Sequence, residues 1–142
     1  MVNLEMLSMA HRRERKSDRI EDYIEVIYEL IRQKGYARTI DIADNLHKKP
    51  PTVTKMLQRL HLDGLIIYEK HRGIAMTKSG ETAARSVIKK HEILTDFLKI
   101  LGVSDEIANK DVEGFEHYVS PQTIEMIVRF MDKAKKNPSM LE

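Results

Sequence analysis

Apolar residues recur at helical spacing through most of this chain, with one short β-prone stretch before its middle. Ile20, Ile24, Ile27 and Ile31 form the first stripe. Asp18 with Glu21 three residues on predicts a capping box, and Gly35 predicts the stop. At about 3.6 residues per turn, Asp22, Glu25 and Glu29 fall opposite that stripe. Tyr23, Val26 and Leu30 flank them, so this helix is expected to pack on two sides. A short helix over 39–46 follows, with Thr39 as its expected N-cap. The break His47-Lys48-Lys49-Pro50-Pro51 places the next start, because proline is tolerated only in the first turn of a helix. That helix is predicted from Pro51 to Leu62, with Val53, Met56, Leu57 and Leu60 buried and Asp63-Gly64 ending it.

The β-prone run is Leu65-Ile66-Ile67-Tyr68. The polar turn Glu69-Lys70-His71-Arg72-Gly73 and the return Ile74-Ala75-Met76 make it a hairpin with a basic tip. Thr77 is the expected cap of a long helix reaching Leu101 and ended by Gly102. Its seam is Val87, His91, Leu94, Leu98 and Leu101, so one histidine sits within an apolar stripe. Ser104 is expected to cap a helix holding Asp111 and the whole stretch Glu113–His117. Ser120-Pro121 then starts a last helix with the narrow stripe Ile124, Ile127, Val128 and Met131. The fold class expected is mainly α. A winged helix-turn-helix domain spans 18–77 and an all-helical domain spans 78–137, between a basic tail at 1–17, expected to be disordered, and a short tail at 138–142.

Two short helices joined by a tight break and followed at once by a hairpin read as a winged helix. The outer face of the second helix carries Pro51, Thr52, Thr54, Lys55, Gln58 and Arg59. Lysine and arginine suit phosphate or guanine, glutamine suits adenine, and threonine reaches either a base edge or a thymine methyl. Lys70 and Arg72 at the hairpin tip would lie near a phosphate backbone. Taken alone, these features also fit an ordinary helical hairpin with a solvated face.

Composition narrows the chemistry. The chain has 142 residues, no cysteine and a formal net charge of only +2, so disulfides and thiolate metal sites are excluded. No run of about 18 apolar residues suggests a membrane span, no signal-peptide pattern opens the chain, and a cytoplasmic location is expected. Asp22 and Glu25 are an i, i+3 pair, and Glu113, Glu116 and His117 share one face if their helix is continuous. Carboxylates crowded on inward helix faces repel one another unless a cation joins them. Oxygen ligands with imidazole and no sulfur favour Mn(II) or Fe(II). Three solvated acidic faces would give the same spacing. No phosphate loop, nucleophile motif or general acid is seen, and the chain is not expected to be an enzyme. A metal-independent winged-helix regulator and a carboxylate-rich di-metal enzyme are the competing readings.

The winged helix, Lys90-His91-Glu92 and Asp111-Val112-Glu113-Gly114-Phe115-Glu116-His117 together resemble the diphtheria toxin repressor family, in its manganese transport regulator branch. Glu-Asp-Tyr-Ile-Glu at 21–25 and Pro-Thr-Val-Thr-Lys-Met at 51–56 strengthen the resemblance, which covers roughly 18–135. It implies a metal site of Asp22, Glu25, His91, Glu113, Glu116 and His117, holding a pair of Mn(II) ions. Fe(II), Zn(II), Cd(II) and Co(II) are further ions that such a donor set can take in vitro. Iron-sensing relatives have methionine and cysteine at the positions of Asp22 and Glu113, so the oxygen ligands here favour manganese. It further implies a homodimeric, metal-activated repressor of metal uptake genes, bound to a palindromic operator in double-stranded DNA. The SH3-like third domain of longer relatives is expected to be missing, and the basic stretch at 1–17 is longer than the resemblance implies.

Overall fold

Proline and capping residues set the helix starts. The computed structural model describes residues 20–142. The order is α1 (Ile20–Lys34), α2 (Thr39–Leu46), α3 (Pro50–Leu62), β1 (Ile66–Glu69), β2 (Gly73–Met76), α4 (Lys78–Ile100), α5 (Asp105–Phe115), a 3-10 turn (Glu116–Tyr118), α6 (Pro121–Lys136) and a terminal 3-10 segment (Pro138–Leu141). The chain is therefore mainly α with one two-stranded sheet, as the hydrophobic pattern predicts. The Asp18 cap and the basic stretch before it lie outside the described residues.

Contacts divide the chain into two compact units, with the break inside α4 between Ile88 and Lys89. In the first unit, α1 buries Tyr23, Ile24, Ile27 and Leu30. Both the predicted stripe and its flank thus contribute to the core, while Ile20 and Ile31 pack at its edge. Ile42 and Ala43 of α2, Val53, Leu57 and Leu60 of α3, Ile66 of β1 and Ala84 of α4 complete it. Each of these side chains stabilises the fold by about 1.5–3 kcal/mol if it is the size of valine or larger.

The N-cap of α2 is Arg38, not Thr39. Arg38 is extended and its carbonyl accepts from the Ile42 N–H at 3.1 Å, which makes it the flanking residue. Its guanidinium bonds Asp41 at 3.1 Å instead of capping the backbone. That hydrogen bond, and then the Asp41 charge, push the Arg38 pKa above its ordinary value. A raised basic group is lost only at strongly alkaline pH, so this contact adds no pH dependence near neutrality. α3 begins at Pro50, one residue before the sequence expectation, and both prolines occupy its first turn.

β1 and β2 pair antiparallel, Ile66 opposite Met76 and Glu69 opposite Gly73. At the base of this wing, Thr77 caps α4. Its Oγ1 accepts from the Gly80 N–H at 3.1 Å and donates to the Gly64 carbonyl at 2.7 Å. α4 passes so close to the wing that a Cβ on Gly80 would overlap the carbonyl oxygen of Leu65.

In the second unit, the later part of α4 buries Leu94, α5 buries Ala108 and Val112, and α6 buries Met131 and Ala134. Phe97 and Phe130 meet edge to face at 6.0 Å between centroids. Ser104 and Ser120 cap α5 and α6 as expected, accepting from the Ile107 and Thr123 N–H groups. Two expectations fail here. Leu101 follows the last residue of α4 and is 59% exposed, so it is not buried with the α4 seam. The stretch Glu113–His117 is not one helix, because α5 stops at Phe115 and the chain tightens into a 3-10 turn. Gly114 weakens the last turn of α5.

Candidate nucleic-acid interface and metal centre

The outward face of α3 comes directly from its buried one. Val53, Leu57 and Leu60 are fully enclosed, so Pro51, Thr52, Lys55, Gln58 and Arg59 face solvent. Thr54 is half-buried, and its hydroxyl donates to the Pro50 carbonyl at 3.1 Å. It is thus less available than the helix period suggests. Arg59 lies 3.9 Å from Asp63, a weak surface pairing that leaves its charge usable. At the wing tip Lys70 and Arg72 are exposed, and Arg72 pairs with Glu69 at 3.3 Å. His71 takes a left-handed φ of 68°, which closes the tip.

One residue of this surface had no signal in the sequence. His61, near the end of α3, accepts through Nδ1 from the Tyr68 N–H of β1 at 3.1 Å. It satisfies an amide of the wing strand from the helix that precedes it.

Asp22 and Glu25 lie one turn apart on α1, both half-buried, in the first unit. The remaining predicted ligands belong to the second unit, and three of them converge. Glu116 opens the 3-10 turn with its side chain 3% exposed. Its Oε2 is 2.7 Å from Nδ1 of His91, and its Oε1 is 3.6 Å from Nε2 of His117. Glu113 takes no part in these contacts and is exposed on the last turn of α5. Glu116 still closes α5, its N–H donating to the Val112 carbonyl, and the chain tightens into the 3-10 turn only from there on.

A buried carboxylate is costly unless a positive group faces it. An imidazole nitrogen 2.7 Å from a carboxylate oxygen demands a proton or a cation between them, since two lone pairs at that distance repel. The Glu116 carboxylate faces one imidazole with each of its oxygens, and carboxylate with imidazole is a donor set that a borderline divalent ion takes. The residues present therefore fit a metal. The other nitrogen of His91, Nε2, lies 3.4 Å from Oδ1 of Asn109, whose Nδ2 donates to the Asp105 carbonyl at 2.8 Å. Asn109 was not singled out by the sequence pattern.

Comparison with known proteins assigns the two domains that carry these residues. Residues 16–74 match the iron dependent repressor N-terminal DNA binding domain, and residues 77–141 match the iron dependent repressor metal binding and dimerisation domain. The chain belongs to the iron dependent repressor family. α3 and the wing are thus part of a DNA-binding domain, and the Glu116 cluster is part of a metal-binding and dimerisation domain. Among similar sequences, the HTH-type transcriptional regulator MntR of Lysinibacillus sphaericus is 43% identical over 123 residues, covering 87% of this chain and 88% of that one. The HTH-type transcriptional regulator MntR of Bacillus subtilis is 48% identical over 108 residues, covering 76% of each. Among solved structures, that of the manganese regulator SloR is similar with a TM-score of 0.69 and 30% identity, over 79% of this chain and 53% of that one. The chain thus spans about half the length of that solved relative.

Proposed function

We propose that this chain is a Mn(II)-activated transcriptional repressor that binds a palindromic operator as a homodimer and controls metal uptake genes. The observation that carries this reading is the Glu116 carboxylate, enclosed and held between the His91 and His117 imidazoles in the metal-binding domain. The names of the similar regulators support manganese as the ion. So does the chemistry of the remaining ligands in the proposed set, Asp22, Glu25 and Glu113, which are hard oxygen donors in a chain without cysteine. Glu113 is exposed, and the proposed role requires its side chain to turn toward the others.

Bound Mn(II) supplies the positive charge that lets these carboxylates gather. Asp22 and Glu25 lie in the span of the DNA-binding domain and the other four residues in that of the metal-binding domain, so an ion held by both sets would link Mn(II) binding to α3. Lys55, Gln58 and Arg59, with Pro51, Thr52 and Thr54 beside them, read the major groove, while Lys70 and Arg72 hold phosphate. Dimerisation uses the apolar groove of about 410 Å³ between α4 and α6, lined by Phe97, Leu101, Met126, Ile127 and Phe130. Leu101 and Met126 are 59% and 52% exposed there, an area that a second subunit would cover.

Two classes of variant separate the roles. At saturating Mn(II), Lys55→Ala and Gln58→Ala should each weaken binding to a duplex selected from random sequence by about 5–150-fold, the value of a good base contact. Asp22→Ala should leave the fold intact and shift binding to higher Mn(II) concentration. Fluorescence anisotropy across a Mn(II) series distinguishes them. An Asp22→Ala curve that overlays the wild type would remove Asp22 from the ligand set.

A further inference from the structure

His91 is held at both ring nitrogens by the second unit. Nδ1 faces Glu116 at 2.7 Å and Nε2 faces Asn109 Oδ1 at 3.4 Å. The orientation of the Asn109 amide is not arbitrary. Its other end lies 2.8 Å from the main-chain carbonyl of Asp105, which can only accept. The atom there must be the NH₂ group, so the atom turned to His91 must be the oxygen. A carboxamide oxygen only accepts, so it stabilises the form of the ring that carries hydrogen on Nε2. A neutral ring with its hydrogen on Nε2 has its lone pair on Nδ1, the nitrogen that faces Glu116.

The anchor itself is well supported. Asp105 opens α5 directly after the Ser104 cap, so its carbonyl sits in the first turn. Lys99 on α4 reaches the Asp105 carboxylate at 3.2 Å, tying that turn to the helix that bears His91. A chain of contacts thus runs from the start of α5 through the Asn109 amide to the outer nitrogen of the His91 ring.

We propose that Asn109 is a positioning residue for the metal centre, fixing the tautomer and ring plane of His91 so that Nδ1 is the nitrogen offered alongside Glu116. The proposal rests on His91 and Glu116 being ligands, as argued above. Partners of this kind on the far side of a ligating imidazole are worth about 10–100-fold in metal affinity. At 3.4 Å and with Asn109 exposed, the lower end of that range applies.

Mn(II) affinity measured by calorimetry on the full chain tests this with three variants. Asn109→Leu keeps the size of the side chain and removes its acceptor, and should weaken Mn(II) binding about 10-fold. Asn109→Asp keeps an oxygen toward His91, replaces the donor to the Asp105 carbonyl with an acceptor and adds a negative charge, and should restore most of the loss. His91→Ala should weaken binding far more than either. A second readout uses Zn(II) as a diamagnetic probe. The His91 Nε2–H resonance should persist in the wild type and exchange away in Asn109→Leu. Equal Mn(II) affinity and an unchanged Nε2–H signal in Asn109→Leu, with His91→Ala still impaired, would overturn the role of Asn109 alone. Unchanged affinity in His91→Ala would overturn the metal site itself, and this inference with it.

Discussion

Replacing Gly80 by alanine should destabilise the DNA-binding domain by about 3 kcal/mol, the upper part of the usual range for an overpacked interior. The added methyl has no room, because it would overlap the backbone carbonyl of Leu65 and press on the Met76 side chain at 3.1 Å. A flexible side chain could yield, but a carbonyl at the base of a strand cannot move alone. Thr77 binds the Gly64 carbonyl through its hydroxyl and the Leu65 carbonyl through its N–H at 3.3 Å. Retreat of α4 would therefore pull on the wing and on the helix cap together. Urea denaturation followed by circular dichroism should show a lower midpoint, and operator affinity should fall as the wing loosens. Thr77→Ala, which removes the cap on the Gly80 N–H and the hydroxyl bond to the Gly64 carbonyl, should cost about 2 kcal/mol. An unchanged midpoint in Gly80→Ala would show that α4 does not press on the wing.

The second large effect is at Glu116. Glu116→Ala should lower Mn(II) affinity by about 100-fold or more, beyond what loss of a mere supporting contact brings. Its two oxygens face two imidazoles, at 2.7 Å and 3.6 Å. Glu116→Gln keeps the volume and one acceptor but removes the charge, and should lose nearly as much. Calorimetric titration with Mn(II) measures both. Affinity within a few-fold of wild type in either variant would mean that the buried carboxylate is structural.

Helix order, the wing and the exposed face of α3 were legible because each rests on local rules. Prolines at 50 and 51 could only begin a helix, and Val53, Leu57 and Leu60 left a single face for Lys55, Gln58 and Arg59. The capping serines at 104 and 120 were equally plain. The candidate site was less so. The i, i+3, i+4 spacing of Glu113, Glu116 and His117 presumes a continuous α-helix, and the 3-10 turn that begins at Glu116 removes that premise for His117. Periodicity cannot register such a change over three residues. Leu101 looked like seam by spacing, yet it is exposed, and spacing along one helix does not show whether a neighbouring element covers that turn. His61 and Asn109 act through partners on other elements or through an amide orientation, and neither leaves a mark on hydrophobic pattern.

That metal occupancy governs DNA binding is the central claim, and it has a direct measurement. The full chain is titrated onto a fluorescent duplex, selected from random sequence by the Mn(II)-loaded protein, at fixed ionic strength. Anisotropy is read with Mn(II), with Mg(II), and with chelator. Linkage of this kind is worth about 5–150-fold. The account predicts that affinity rises by that order with Mn(II) and not with Mg(II), and that the same duplex tightens Mn(II) binding by an equal factor. Affinity that is the same in Mn(II) and in chelator would contradict it.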